Sequence, residues 1–115
     1  MLKKEIKDTE EVRSEFWKYF SNHFLKGANY LGWDKIIHRT VDCANGVGAA
    51  ALPHFNLIIK DYINAEIINS QDHEYLNKEC GADYVKTNKL FPRNFNSREH
   101  NSFLSFDGDA DRIVF

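Results

Sequence analysis

Lys35-Ile36-Ile37-His38-Arg39-Thr40-Val41-Asp42-Cys43 leads directly into Ala44-Asn45-Gly46-Val47-Gly48, and then into Ala49-Ala50-Ala51-Leu52-Pro53. The first nine residues are rich in β-formers and predict a strand from Lys35 to Cys43. Asn45-Gly46 is a turn signal. Gly48 then opens a helical stretch from Ala49 to about Tyr62, with Pro53 in its first turn or at a kink. Its apolar residues, Ala51, Leu52, Phe55, Leu57, Ile58 and Ile59, suit a helix packed on a sheet. Downstream, Ala65 to Asn69 reads as a second strand, Asn77 to Gly81 closes a short helix, and Phe103 to Phe106 reads as a third strand. Strands alternating with helices predict right-handed crossovers. The expected fold is α/β, a mainly parallel sheet with flanking helices.

Upstream, Val12, Phe16, Phe20 and Phe24 recur every four residues, and Trp17 and Leu25 widen the stripe. That period predicts a helix, with Asp8 and Glu11 as a capping box and Gly27 as its stop. The aromatic stripe suits core or interdomain packing. Residues 1–34 are thus expected to form a helical lead-in, and residues 35–115 the α/β domain.

The bulk properties narrow the functional classes. A chain of 115 residues with 43% hydrophobic and 14% aromatic content can bury a real core. A net charge of −2 gives no general attraction to nucleic acid or to an acidic membrane. No apolar run approaches membrane-spanning length, and the N-terminus has no signal-peptide core. Cys43 and Cys80 lack CxxC spacing and read as reduced thiols of a cytoplasmic protein. Ile113-Val114-Phe115 begins a strand at the chain's end, so a fragment of a longer protein is expected.

Just before that end, Asp107, Asp109 and Asp111 alternate with Gly108 and Ala110, and Arg112 follows at once. Three carboxylates within five residues repel one another unless a cation neutralises them. Hard oxygen ligands suit Mg²⁺ first, then Ca²⁺ and Mn²⁺. The small spacers allow the backbone to curl until the three side chains face one point. Arg112, forked and permanently charged, suits a phosphate beside that ion. Acidic clusters are more often solvated turns. Here, however, apolar Phe103 to Phe106 precedes and Ile113 to Phe115 follows, which sets the carboxylates at a strand's C-terminal edge, where α/β proteins bind ligands. A calcium loop of the EF-hand type is a poor match, because Arg112 stands where that loop needs glycine.

Other motifs carry less. Val41 to Gly48 resembles half a dinucleotide fingerprint, but Ala51 stands at the third glycine position. Asp42 and Asn45 therefore read as residues of a tight turn. No nucleophile constellation occurs, and the five histidines are scattered without ligand spacing. Lys86, Lys89, Arg93 and Arg98, interleaved with Phe91 and Phe95, have the composition of a single-strand nucleic-acid patch. The charge is modest, and a solvated connecting loop is the expectation; neither nucleic acid nor membrane is an expected partner.

Phe106 to Arg112, FDGDADR, resembles the metal-binding loop of the α-D-phosphohexomutases. Val41 to Gly48, VDCANGVG, is similar to the first strand and turn of that family's second domain. Cys80 to Lys86, CGADYVK, resembles the stretch after the second strand in its eukaryotic N-acetylglucosamine-phosphate branch. The resemblance covers residues 35–115. It implies a phosphosugar mutase that interconverts N-acetylglucosamine 6-phosphate and 1-phosphate through a phosphoserine and a bisphosphate intermediate, feeding UDP-N-acetylglucosamine synthesis. It also implies Mg²⁺ on Asp107, Asp109 and Asp111, and phosphate contact by Arg112. The family's serine loop, Thr-Ala-Ser-His-Asn-Pro, does not occur in this sequence, so no catalytic residue is assigned and the chain alone is expected to be inactive. The phosphoserine would supply a further ligand, so the isolated loop should hold Mg²⁺ weakly. Phosphoglucomutase or phosphomannomutase specificity, or a non-catalytic divalent-metal module, remain the alternatives.

Overall fold

The computed structural model describes residues 8–71 and 73–115. The chain divides into two compact units, residues 1–34 and 35–115.

In the first unit, α1 spans Thr9–Tyr30. Asp8 is the N-cap, and its side chain accepts from the Glu10 amide at 3.4 Å; no bond from Glu11 back to the cap is seen, so the reciprocal box is replaced by a single cap. Glu10 and Glu11 place negative charge at the positive end of the helix dipole. The helix runs through Gly27 and stops at Gly32 instead. Gly32 adopts φ +65°, its N–H donates to the Asn29 carbonyl at 3.1 Å, and the Trp33 N–H donates to the Ala28 carbonyl at 3.0 Å. A residue past the helix end must turn left-handed to make both bonds, which costs glycine nothing. Phe16, Trp17 and Phe20 contact one another edge-on or stacked, while Val12, Phe16 and Phe20 remain exposed. No described helix is long and apolar enough to cross a membrane.

The second unit holds β1 (Ile37–Asp42), α2 (Gly48–Ile59), β2 (Ile63–Ile68), α3 (Ala82–Asn88), β3 (Phe103–Phe106) and β4 (Ile113–Val114). The sheet order is β2-β1-β3-β4. Strand β1 is parallel to both neighbours, and β4 returns antiparallel to β3. The sheet is mainly parallel with flanking helices, as expected of residues 35–115. Pro53 lies in the second turn of α2. Asn56 on α2 reaches the edge strand, exchanging two hydrogen bonds with the Ala65 backbone at 3.2 and 3.3 Å.

The short helix expected to close at Asn77 to Gly81 is reduced to one turn. His73–Tyr75 is a single 3₁₀ turn, and Asn77 and Glu79 adopt left-handed φ values of 58° and 53°. Gly81, at φ +89°, turns the chain into α3 instead. The Lys86 to His100 segment is only partly a free loop: Lys86 lies in the last turn of α3, which runs to Asn88, and Phe91 and Phe95 pack against Phe103 of β3 at ring separations of 6.0 and 5.0 Å.

From β1 the chain crosses through α2 to β2 on one side, and from β2 it crosses back through α3 to β3 on the other side of β1. A crevice at the C-terminal ends of the strands is the geometric result. There the buried residues Thr40, Val41, Asp42, Cys43 and Ala44 sit at the end of β1, and Ser105 and Asp107 at the end of β3.

Candidate metal centre

The loop after β3 is closed by its first residue. Asp107 is buried, at 5% exposure, and its two oxygens accept three bonds from within the loop. Oδ1 accepts from the Asp111 and Arg112 amides at 3.1 and 3.2 Å, and Oδ2 accepts from Arg112 Nε at 2.7 Å. The Asp107 carbonyl accepts from the Ala110 amide at 3.0 Å, and Ala110 takes a left-handed φ of 58°. This curl is what brings alternate residues round to one side. One carboxylate oxygen from each of Asp107, Asp109 and Asp111 lies within 4.8 Å of the others, with Asp109 and Asp111 exposed.

Arg112 forks between two carboxylates. Besides Asp107 it donates to Asp83 Oδ2 at 3.0 Å, from the first turn of α3, and its Nε lies 3.9 Å from Asp111. More than half of its side chain stays exposed. For Asp107, partial burial works against ionisation, but the guanidinium and amide bonds of Arg112 prevail and hold the carboxyl well below the usual range. Asp111 is shifted the other way. Hydrogen bonding with the Asp107 and Asp109 carboxyls, then partial burial and their charge, raise its affinity for a proton. Arg112 is held still more firmly charged by Asp107 and Asp83.

The turn after β1 forms the loop's wall. Ala44 and Asn45 both adopt φ 55°. The Val47 amide donates to the Gly108 carbonyl at 3.0 Å. A Cβ on Gly46 would collide with that carbonyl, so only glycine permits the approach. Asn45 also secures the far segment, with its side chain donating to the Tyr75 carbonyl at 3.2 Å and accepting from the Gln71 amide at 3.3 Å.

Three exposed or edge-lying carboxylates, crowded enough to raise the proton affinity of one, form a donor set for a hard divalent cation. No nitrogen or sulfur ligand competes among them, and three oxygens on one side leave room for water or phosphate. The residues fit Mg²⁺. Two acidic residues beyond the triplet were not singled out by sequence. Asp83 braces Arg112 from 29 positions away. Asp42, read as a turn residue, is fully buried and gathers four hydrogen bonds. In sequence each is one acidic residue among many.

Comparison with known proteins gives the chain a family. Residues 10–114 match the family model described as Phosphoacetylglucosamine mutase AMG1, domain II. The chain belongs to this phosphoacetylglucosamine mutase domain II family. It is 44% identical over 82 residues to the Saccharomyces cerevisiae phosphoacetylglucosamine mutase, covering 65% of this chain and 14% of that protein. It is 37% identical over 110 residues to a probable phosphoacetylglucosamine mutase of Encephalitozoon cuniculi, covering 90% and 20%. The crystal structure of an N-acetylglucosamine-phosphate mutase of the α-D-phosphohexomutase superfamily, in its apo form, superposes with a TM-score of 0.73 at 33% identity, over 86% of this chain and 22% of that one. A mutase from Aspergillus fumigatus, in complex with GlcNAc-6P and magnesium, superposes with a TM-score of 0.52 at 40% identity, over 67% and 16%. The chain thus spans roughly a seventh to a fifth of the length of these curated relatives.

Proposed function

We propose that Asp107, Asp109 and Asp111 hold Mg²⁺, and that Arg112 grips a phosphate of an N-acetylglucosamine phosphate beside it. The longer protein would interconvert the 6- and 1-phosphates and so feed UDP-N-acetylglucosamine synthesis in the cytoplasm. In it, residues 1–34 form a helical lead-in and residues 35–115 the metal-bearing domain. The observation that carries this reading is the convergence of three alternate carboxylates within 4.8 Å at the sheet's switch point.

Bound there, the cation would neutralise charge on the phosphoryl oxygens as the group moves. The chain's own residues prepare the place. Asp107 is fixed by three bonds within the loop, so its position is set before any ligand arrives. Asp109 and Asp111 stay exposed and close, and their mutual repulsion falls when a cation sits among them. Arg112 has donors beyond its bonds to Asp107 and Asp83, which a phosphate beside the cation would take up. The nucleophile belongs elsewhere in the longer protein.

Turnover of N-acetylglucosamine 6-phosphate to the 1-phosphate by the longer protein, with and without Asp109→Asn, tests the proposal. Loss of turnover in the variant supports it; undiminished turnover refutes it.

A further inference from the structure

Several segments around the acidic loop are tied to one carboxylate. Asp42 is the last residue of β1 and is wholly buried. Its Oδ1 accepts from the Ala44 amide at 3.0 Å and from Asn69 Nδ2 at 2.9 Å. Its Oδ2 accepts from the Gly81 amide at 2.7 Å and from Ser105 Oγ at 2.8 Å. Four donors saturate the carboxylate with no cationic side chain among them. A neutral residue of the same shape cannot replace it, because an amide would turn its own N–H₂ toward donors.

Each donor belongs to a different wall. Ala44 opens the left-handed turn that carries the Val47 amide to the Gly108 carbonyl. Ser105 is the register partner of Asp42 on β3 and lies two residues before Asp107. Gly81 caps α3, whose Asp83 braces Arg112. Asn69 follows β2 and ties in the Arg93 carbonyl at 2.8 Å. We infer that Asp42 is a positioning residue for the acidic loop, setting the convergence of Asp107, Asp109 and Asp111 and the orientation of Arg112 without touching the ion. The inference rests on the metal reading above for its consequence, though not for its geometry.

Two readouts on the 115-residue chain separate them. The first is amide hydrogen exchange, without metal, at Val47, Ala110, Asp111 and Arg112, against Ile37 and Ala65 at the far end of the sheet. The second is Mn²⁺ affinity by water-proton relaxation. Asp42→Asn should speed exchange at the loop amides about tenfold while the far-end amides hold, and should weaken Mn²⁺ binding about tenfold. Ser105→Ala, which removes one bond and keeps the fold, should move both in the same direction by about threefold. If Asp42→Asn does not fold, Ser105→Ala alone decides. Unchanged loop exchange in the folded variants, or an equal rise at loop and far end, overturns the inference. If the unsubstituted chain binds no Mn²⁺, the metal reading fails, and loop exchange still decides the role of Asp42.

Discussion

Arg112 Nε donates to Asp107 Oδ2 at 2.7 Å, so the residue after the acidic triplet holds the first member of that triplet in place. The loop is therefore organised by a cation of its own chain while two of its three carboxylates stay open. That division of labour separates residues whose loss should cost binding from residues whose loss should cost structure.

Asp109 falls in the first class. It is exposed within the triplet. Asp109→Asn should leave the melting temperature in EDTA within about 3 °C of the parent, as exposed substitutions usually do. The rise in melting temperature produced by Mg²⁺ or Mn²⁺ should disappear. Thermal melts with and without metal measure both.

Gly46 falls in the second class. A Cβ there meets the Gly108 backbone, whose carbonyl is held by the Val47 amide, whereas a Cβ on Gly108 meets the ends of Asn77 and Leu76 at 3.0 and 3.1 Å. Gly46→Ala should cost about 2 kcal/mol and Gly108→Ala less than about 1 kcal/mol, because side chains yield where backbone does not. Urea unfolding of the two variants checks the order.

The thiols give a pH test. Burial first, and the Asp42 charge second, push Cys43 up from 9.0 to about 12 and Cys80 from 9.0 to about 11. Since thiolate is the nucleophile, iodoacetamide at pH 8 should label neither in the native chain and both in urea. The folded chain holds these protons more tightly than the unfolded one. Their stabilising effect is therefore complete below pH 9 and lost as pH rises toward 11 and 12. Mass spectrometry after alkylation, and urea melts at rising pH, read the two consequences.

The isolated chain should not turn over N-acetylglucosamine 6-phosphate even with Mg²⁺, because it contains no Thr-Ala-Ser-His-Asn-Pro loop to carry the phosphoryl group. A coupled assay on the purified chain checks this, and measurable turnover would show a nucleophile within these residues.

Much of this architecture was legible because its signals are local. Lys35 to Gly48 carries strand, turn and helix in consecutive residues, and the triplet with its small spacers lies within five positions. Where the reading failed, the deciding contacts were out of its reach. Gly27 and Gly32 look alike as helix stops, and only the bonds from Gly32 and Trp33 to Asn29 and Ala28 choose between them. Asn77 to Gly81 resembles a helix end, but Asn77 donates its amide to the Ala44 carbonyl at 2.9 Å and leaves the helix to begin at Ala82. Asp42 reads as a turn residue because three of its four partners lie 27, 39 and 63 positions away.

Crystals of the chain soaked in millimolar Mn²⁺ test the central claim most directly. The loop should show one anomalous peak about 2.1 Å from an oxygen of each of Asp107, Asp109 and Asp111, with water completing an octahedron. Arg112 should still lie against Asp107. A loop with its three carboxylates apart and no ordered cation at that concentration would contradict the account.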